Sequence, residues 1–266
     1  MSRILLVGCG NMGGAMLAGW LAAGHSPESF TVVDPVLAAA PAGVALLRAV
    51  PQEDPFDVVL LGFKPQQFAE ASAPLAAVVG PGTVVLSILA GVDLATLRGR
   101  FPEAATIVRV MPNLAAALGK SPIGLFGDGD AAARATVDAL MAPLGTAEWV
   151  DAEAQMDVVT ALAGSGPAFV YRMIDALAAG AAALGLPRDQ ADRLALGMVE
   201  GAGALAAASP LAPGELADRV ASPGGTTRAG LDVLDGDARL AGLIAETLRA
   251  ARDRGVEMAA EARAKV

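Results

Sequence analysis

The chain has 266 residues, 54% of them hydrophobic and only 18% charged, so it can bury a sizeable core and lacks the balance of a disordered segment. Its net charge of −9 repels phosphate backbones and argues against nucleic acid as a partner. Cys9 is the only cysteine, so no internal disulfide can form. Met1-Ser-Arg-Ile runs directly into a strand without a signal-peptide pattern. The longest uncharged stretch, Ala71 to Val92, is broken by Gly80-Pro81-Gly82 into a helix end, a turn and a strand. A cytoplasmic protein without membrane spans or a metal is therefore expected.

The first part of the chain alternates short apolar runs with helical patterns. Ile4 to Val7 reads as a buried strand. Asn11 to Ala23 reads as a helix with Met12, Met16, Trp20 and Ala23 on neighbouring turns. Strands follow at Phe30 to Val33, Val58 to Leu61, Val84 to Leu86 and Thr106 to Val110. Later ones are expected at Ile123 to Phe126 and Ala147 to Val150, with a helix at Ala131 to Met141 between them. Alternating strands and helices predict an α/β domain of Rossmann type, a doubly wound parallel sheet over residues 1–151. Residues 152–266 read as all-α. Ser165-Gly-Pro167 suggests a helix start with serine as cap, and that helix ends at Gly185-Leu-Pro187. A second helix spans roughly Arg188 to Ala207, with Gly197 and Gly201 on one face. A third begins near Pro213, and a last one runs from about Asp237 to Ala262.

Gly8-Cys9-Gly10-Asn11-Met12-Gly13 is a G-x-G-x-x-G run between a strand and a helix, the setting in which it cradles a dinucleotide pyrophosphate. Without that setting it is only a tight glycine turn. Asp34 ends the second strand, close to the usual ~20 residues past the motif. A carboxylate there bonds the ribose hydroxyls of NADH and repels the 2′-phosphate of NADPH. No arginine or lysine lies between Phe30 and Leu47 to offset it, so Asp34 favours NADH, and a serine there would favour NADPH. Cys9 is read as a small filler of the turn. Phe63, Lys64 and Pro65, and Ser87, Ala90 and Gly91, follow further strands and belong to the cofactor edge, because ligands of open α/β sheets bind outside the carboxyl ends of the strands.

In the helical half, Ser222-Pro-Gly-Gly-Thr-Thr227 opens a helix that continues through Leu231 and Leu234. Exposed N–H groups at such a start suit a carboxylate, and Ser222, Thr226 and Thr227 add hydroxyls. The alternative is an elaborate helix cap without a ligand. This half has no histidine, and its only lysine is Lys265. Carbonyl reduction needs a proton donor close by, whereas an imine can arrive protonated. A hydroxyl-lined pocket free of lysine therefore suits a C=N bond. His25 reads as a surface residue and Tyr171 as a packing residue.

Gly8-x-Gly10-x-x-Gly13, Lys64-Pro65-Gln66, Arg109-Val-Met-Pro-Asn113, Thr160-Ala-Leu-Ala-Gly-Ser-Gly-Pro-Ala-Phe169 and Ser222-Pro-Gly-Gly-Thr-Thr227 together resemble the pyrroline-5-carboxylate reductase family over nearly the whole chain. The last two motifs are specific to that family, and the first is shared by many dehydrogenases. The resemblance implies hydride transfer from NADPH or NADH to C5 of 1-pyrroline-5-carboxylate, giving L-proline. It implies that the Thr227 hydroxyl bonds the ring nitrogen. Ser222 would hold the carboxylate with the loop backbone at Gly224, Gly225, Thr226 and Thr227. Lys64-Pro65 and the Ser87 to Gly91 loop would line the nicotinamide, and Asn113 would shape that edge. It also implies a homodimer built from the helical domains, often assembled further. The sequence departs from the family at Asp34-Pro35, where members favouring NADPH often carry a small polar residue and then a basic one. The competing readings are another imine or 3-hydroxy acid dehydrogenase of this architecture, and a non-catalytic dinucleotide sensor. The missing mid-helix lysine argues against the hydroxy acid, and a sensor has no need of the Ser222 to Thr227 loop.

Overall fold

The computed structural model describes residues 2–52 and 55–263; Lys265 lies outside them. The chain divides into two compact units, residues 1–164 with 251–266, and Ser165–Ala250.

The first unit is built on strands β1 (Ile4–Val7), β2 (Phe30–Val33), β3 (Ala45–Leu47), β4 (Val58–Leu61), β5 (Val84–Ser87), β6 (Thr106–Met111), β7 (Ser121–Gly127) and β8 (Gly145–Trp149). They form one sheet in the order β3-β2-β1-β4-β5-β6-β7-β8. All neighbours are parallel except β6 and β7. The helices between them are α1 (Asn11–Ala22), α2 (Phe68–Ser72), α3 (Leu94–Arg100) and α4 (Ala131–Met141), followed by α5 (Gln155–Val159). β1, β4 and β5 are buried at every position, as a parallel sheet covered on both faces requires. Alternate residues feed two separate cores. Ile4 and Leu6 pack with Met16, Leu17 and Trp20 of α1, while Leu5 and Val7 pack with Leu75, Val78, Leu97 and Phe101. Trp20 stacks on Phe30 at 5.6 Å between ring centroids, and its indole N–H donates to Leu140 O at 2.8 Å.

The strands expected from apolar runs are all present. β3 is an addition to them: it is three residues long, lies at the sheet edge and has no fully buried position, so its short apolar segment Ala45-Leu46-Leu47 does not stand out as a strand in the sequence.

The second unit contains α6 (Gly166–Ala183), α7 (Arg188–Ala208), α8 (Pro213–Arg219) and α9 (Thr226–Asp235); α10 (Arg239–Arg263) begins in it. The expected cap at Ser165 is corrected. Ser165 has helical dihedrals and makes no capping bond, because α5 and a π-helical turn over Thr160–Gly164 already lead into α6. That turn packs on β6 and β7, which is why the first compact unit extends past the last strand to Gly164, beyond the boundary expected at 151. α10 begins at Arg239 rather than 237, because Asp237 and Ala238 adopt left-handed φ of 55° and 53°. Ala178, Ala191 and Ala195 form the buried core where α6 packs on α7. Large apolar side chains of this unit remain exposed, among them Tyr171 (68%), Leu194 (62%), Leu205 (73%) and Leu243 (62%). No single helix among the described residues is long and apolar enough to cross a membrane.

Candidate functional site

The strand order reverses between β1 and β4, so the topological switch point lies where these two strands leave the sheet. Val7 and Leu61 are in register there, and Leu61 is in register with Ser87 of β5. The residues that follow, Gly8 and Gly62, touch. A Cβ on Gly8 would stand 2.7 Å from Phe63 N, and one on Gly62 would stand 2.6 Å from Gly8 O. Gly8 also has a φ of 86°, which a side chain would strain. Gly13, buried in the first turn of α1, would meet Gly8 O at 2.7 Å. Gly10 differs from these, because a Cβ there would meet nothing within 4 Å. The middle glycine thus faces open space at the start of α1, whose Gly10 cap offers no side chain and whose first turn holds no acid. Backbone N–H groups and the positive end of the helix dipole are left for a ligand anion, and this cradle fits a dinucleotide pyrophosphate. Asn11 is exposed and Met12 half-buried on that turn.

Asp34 is buried, and its carboxylate points into the protein rather than outward. One oxygen accepts the Cys9 N–H at 2.9 Å, and the other accepts those of Val36 and Leu37, each at 2.9 Å. Burial pushes the Asp34 carboxyl up, but the three backbone donors and the nearby Arg48 charge outweigh it and hold the group below the usual carboxylate range. Asp34 therefore ties the glycine turn to the end of β2. Burial, and then the Asp34 charge, push the Cys9 thiol up, so Cys9 is a protonated filler. Sequence reasoning misses Arg48, one residue beyond the interval searched for a basic group. It follows β3, and its Nη1 donates to Asp34 O at 2.8 Å and Leu37 O at 2.6 Å. The signal that finds it is β3 itself, whose register sets Leu47 beside Val33.

The remaining edge residues differ in what they offer. Phe63 is half-buried and packs into the second core. Lys64 is exposed and precedes a 3-10 turn begun by Pro65. Ser87 is buried, and its hydroxyl accepts the Leu89 N–H at 3.3 Å. Ala90 is exposed, and Gly91 has a φ of 77°; a Cβ there would come within 3.0 Å of Ala259 Cα. Asn113 is committed to the protein. Its Oδ1 accepts the Ala115 N–H and its Nδ2 donates to Ala163 O, both at 2.9 Å, so it fastens the edge to the π-helical turn. Arg109 is likewise structural, paired with Glu153 at 2.7 Å. His25 is half-buried near Phe30, and Tyr171 is exposed on α6 rather than packed within the protomer.

In the second unit, Ser222 to Thr227 link α8 to α9. Gly225 N donates to Ser222 O at 2.9 Å, and a Cβ on Gly225 would stand 2.6 Å from Ser222 Oγ. Glycine at 225 thus lets the serine hydroxyl lie across the start of α9. Gly225 caps that helix with no side-chain bond, and its first turn has no acid. Ser222, Gly224, Thr226 and Thr227 are exposed. Arg228 anchors the loop from below: it pairs with Asp218 of α8 and with Asp232 and Asp235 of α9. The structure therefore brings the expected hydroxyls and amides together at one helix start.

The chain is 34% identical over 265 residues to the pyrroline-5-carboxylate reductase of Pseudomonas aeruginosa, covering 97% of each. The chain belongs to the pyrroline-5-carboxylate reductase family. It is 35% identical over 244 residues to the Methanosarcina acetivorans reductase, covering 88% of this chain and 89% of that one. Residues 153–258 match the family described as pyrroline-5-carboxylate reductase dimerisation, and residues 3–91 match the family described as NADP oxidoreductase, coenzyme F420-dependent. Among solved structures, the pyrroline-5-carboxylate reductase from Coxiella burnetii superposes with a TM-score of 0.88 at 30% identity, covering 96% of this chain and 98% of that one. The 1-pyrroline-5-carboxylate reductase from Streptococcus pyogenes follows the same path at 26% identity and a TM-score of 0.77, covering 96% and 98%. The family relationship thus spans both units.

Proposed function

We propose that this protein reduces 1-pyrroline-5-carboxylate to L-proline with a nicotinamide dinucleotide. The observation that carries this reading is the pairing, in one member of the reductase family, of an open glycine cradle at the switch point with a hydroxyl-lined helix start at Ser222 to Thr227. The nicotinamide supplies the hydride when bound. Gly8, Gly10 and the first turn of α1, with Asn11, Met12 and Gly13, hold the pyrophosphate through backbone N–H groups. Lys64, Pro65 and the Ser87 to Gly91 loop line the edge next to it. Ser222 and the amides of Gly225, Thr226 and Thr227 hold the substrate carboxylate, with Gly224 supplying the turn. The Thr227 hydroxyl bonds the ring nitrogen. Orientation supplies most of the catalysis, because a protonated imine needs little further activation.

The helical unit serves self-association. Its exposed apolar side chains and its match to a dimerisation family support a homodimer formed over residues 152–266. The test of the reaction is to supply 1-pyrroline-5-carboxylate and reduced nicotinamide dinucleotide to the purified chain. L-proline should form in equal amount to the dinucleotide oxidised. Dinucleotide binding without proline formation would move the weight to another imine or to a sensor.

A further inference from the structure

We infer that Arg48 is a specificity-determining residue that takes the 2′-phosphate of NADPH, so that this chain prefers NADPH despite the acid at Asp34. The inference rests on the dinucleotide site proposed above. In an open α/β sheet, the adenosine ribose lies beyond the carboxyl end of β2, where an acid takes the 2′-hydroxyl or an arginine takes the 2′-phosphate. Val33 and Leu47 are in register, and Asp34 N donates to Leu47 O at 3.1 Å, so Arg48 follows β3 directly beside that end of β2. Its guanidinium reaches over the loop to the carbonyls of Asp34 and Leu37, both through Nη1. Nε and Nη2 have no partner among the described residues and remain as a fork for an anion. The side chain is exposed, so that fork is open to a ligand.

Asp34 does not cancel this site. It is the only acid between Phe30 and Arg48, and both of its oxygens face backbone donors of Cys9, Val36 and Leu37. Those donors offset its charge locally, and the carboxylate is turned toward the glycine turn. The two side chains thus have separate roles. Asp34 positions the turn, and Arg48 presents the positive charge outward.

Binding of two half-ligands, measured by calorimetry on the full chain, tests the assignment without turnover. Adenosine 2′,5′-bisphosphate and 5′-AMP differ only in the 2′-phosphate. The wild type should bind the bisphosphate about tenfold or more tightly than 5′-AMP, the scale of a charge-assisted hydrogen bond. Arg48→Gln should remove that advantage and leave 5′-AMP affinity within about twofold. Arg48→Lys should keep part of it, since a point charge binds phosphate without the fork. Equal affinity of the wild type for the two nucleotides would overturn the inference and leave the dinucleotide site standing. Equal losses for both nucleotides in Arg48→Gln would overturn it too, and make Arg48 a fastener of the 34–37 loop. Failure of the wild type to bind either nucleotide would overturn both this inference and the dinucleotide reading.

Discussion

The nucleotide unit and the helical unit solve the burial problem differently. In the first, every residue of β1, β4 and β5 is covered, and large side chains such as Trp20, Phe30 and Phe101 are almost wholly withdrawn from water. In the second, the core cluster is three alanines, while leucines on α7 and α10 face outward. A sheet covered on both faces completes its own core. A pair of long helices with apolar residues on several sides does not, and the self-association proposed above would supply the missing cover. Fold stability is therefore expected to depend on protein concentration through the helical unit and not through the sheet.

The largest effect expected from a single substitution lies in the self-contained unit. Trp20→Ala removes a stacked ring and an indole hydrogen bond from a full core, and should cost about 3–5 kcal/mol by denaturant unfolding. A loss under about 1 kcal/mol would show that this core is looser than the geometry indicates. Next is Thr227→Ala, which should lower turnover about a hundredfold while dinucleotide affinity holds. Equal losses in both would make Thr227 a part of the fold. Leu205→Glu should weaken self-association by about 2 kcal/mol, read from the dissociation constant in sedimentation. On a surface left open in the working protein, the same change would stay within about 0.5 kcal/mol. The smallest effect belongs to Asp34→Asn. The wild-type carboxyl titrates below its unfolded value, so its ionised form stabilises the fold above about pH 4, and that contribution fades as pH falls through the folded pKa. The variant should lose about 1 kcal/mol at neutral pH and approach the wild type in acid. A constant difference across pH would take the charge out of the explanation.

Much of the first unit is legible in the sequence because its strands are continuous apolar runs and its glycine motif sits between a strand and a helix. Gly8 and Gly13 make the close approaches such a motif predicts, and Gly10 leaves the space it predicts. What stays hidden depends on side-chain direction and on short edge elements. Asp34 is readable as an acid at the end of β2, but not as one turned inward onto Cys9 N. Arg48 cannot be placed until the three-residue β3 sets it beside that acid. Ser165 carries a capping residue type yet sits inside a continuing helical path, because the π-helical turn ahead of it is held by Asn113 and the sheet. In the helical unit the Ser222 to Thr227 loop is legible from its glycines and hydroxyls. The anchoring of that loop by Arg228 is not, since its three acidic partners come from two helices.

The most direct test of the division between the two units is the molar mass of the full chain in solution, measured by sedimentation equilibrium over a range of concentrations. A dimer or larger assembly is expected at micromolar concentration, with unfolding midpoints that rise with concentration. A monomer of unchanged stability throughout that range would contradict it, and would mean that the exposed leucines of α7 and α10 are tolerated in water.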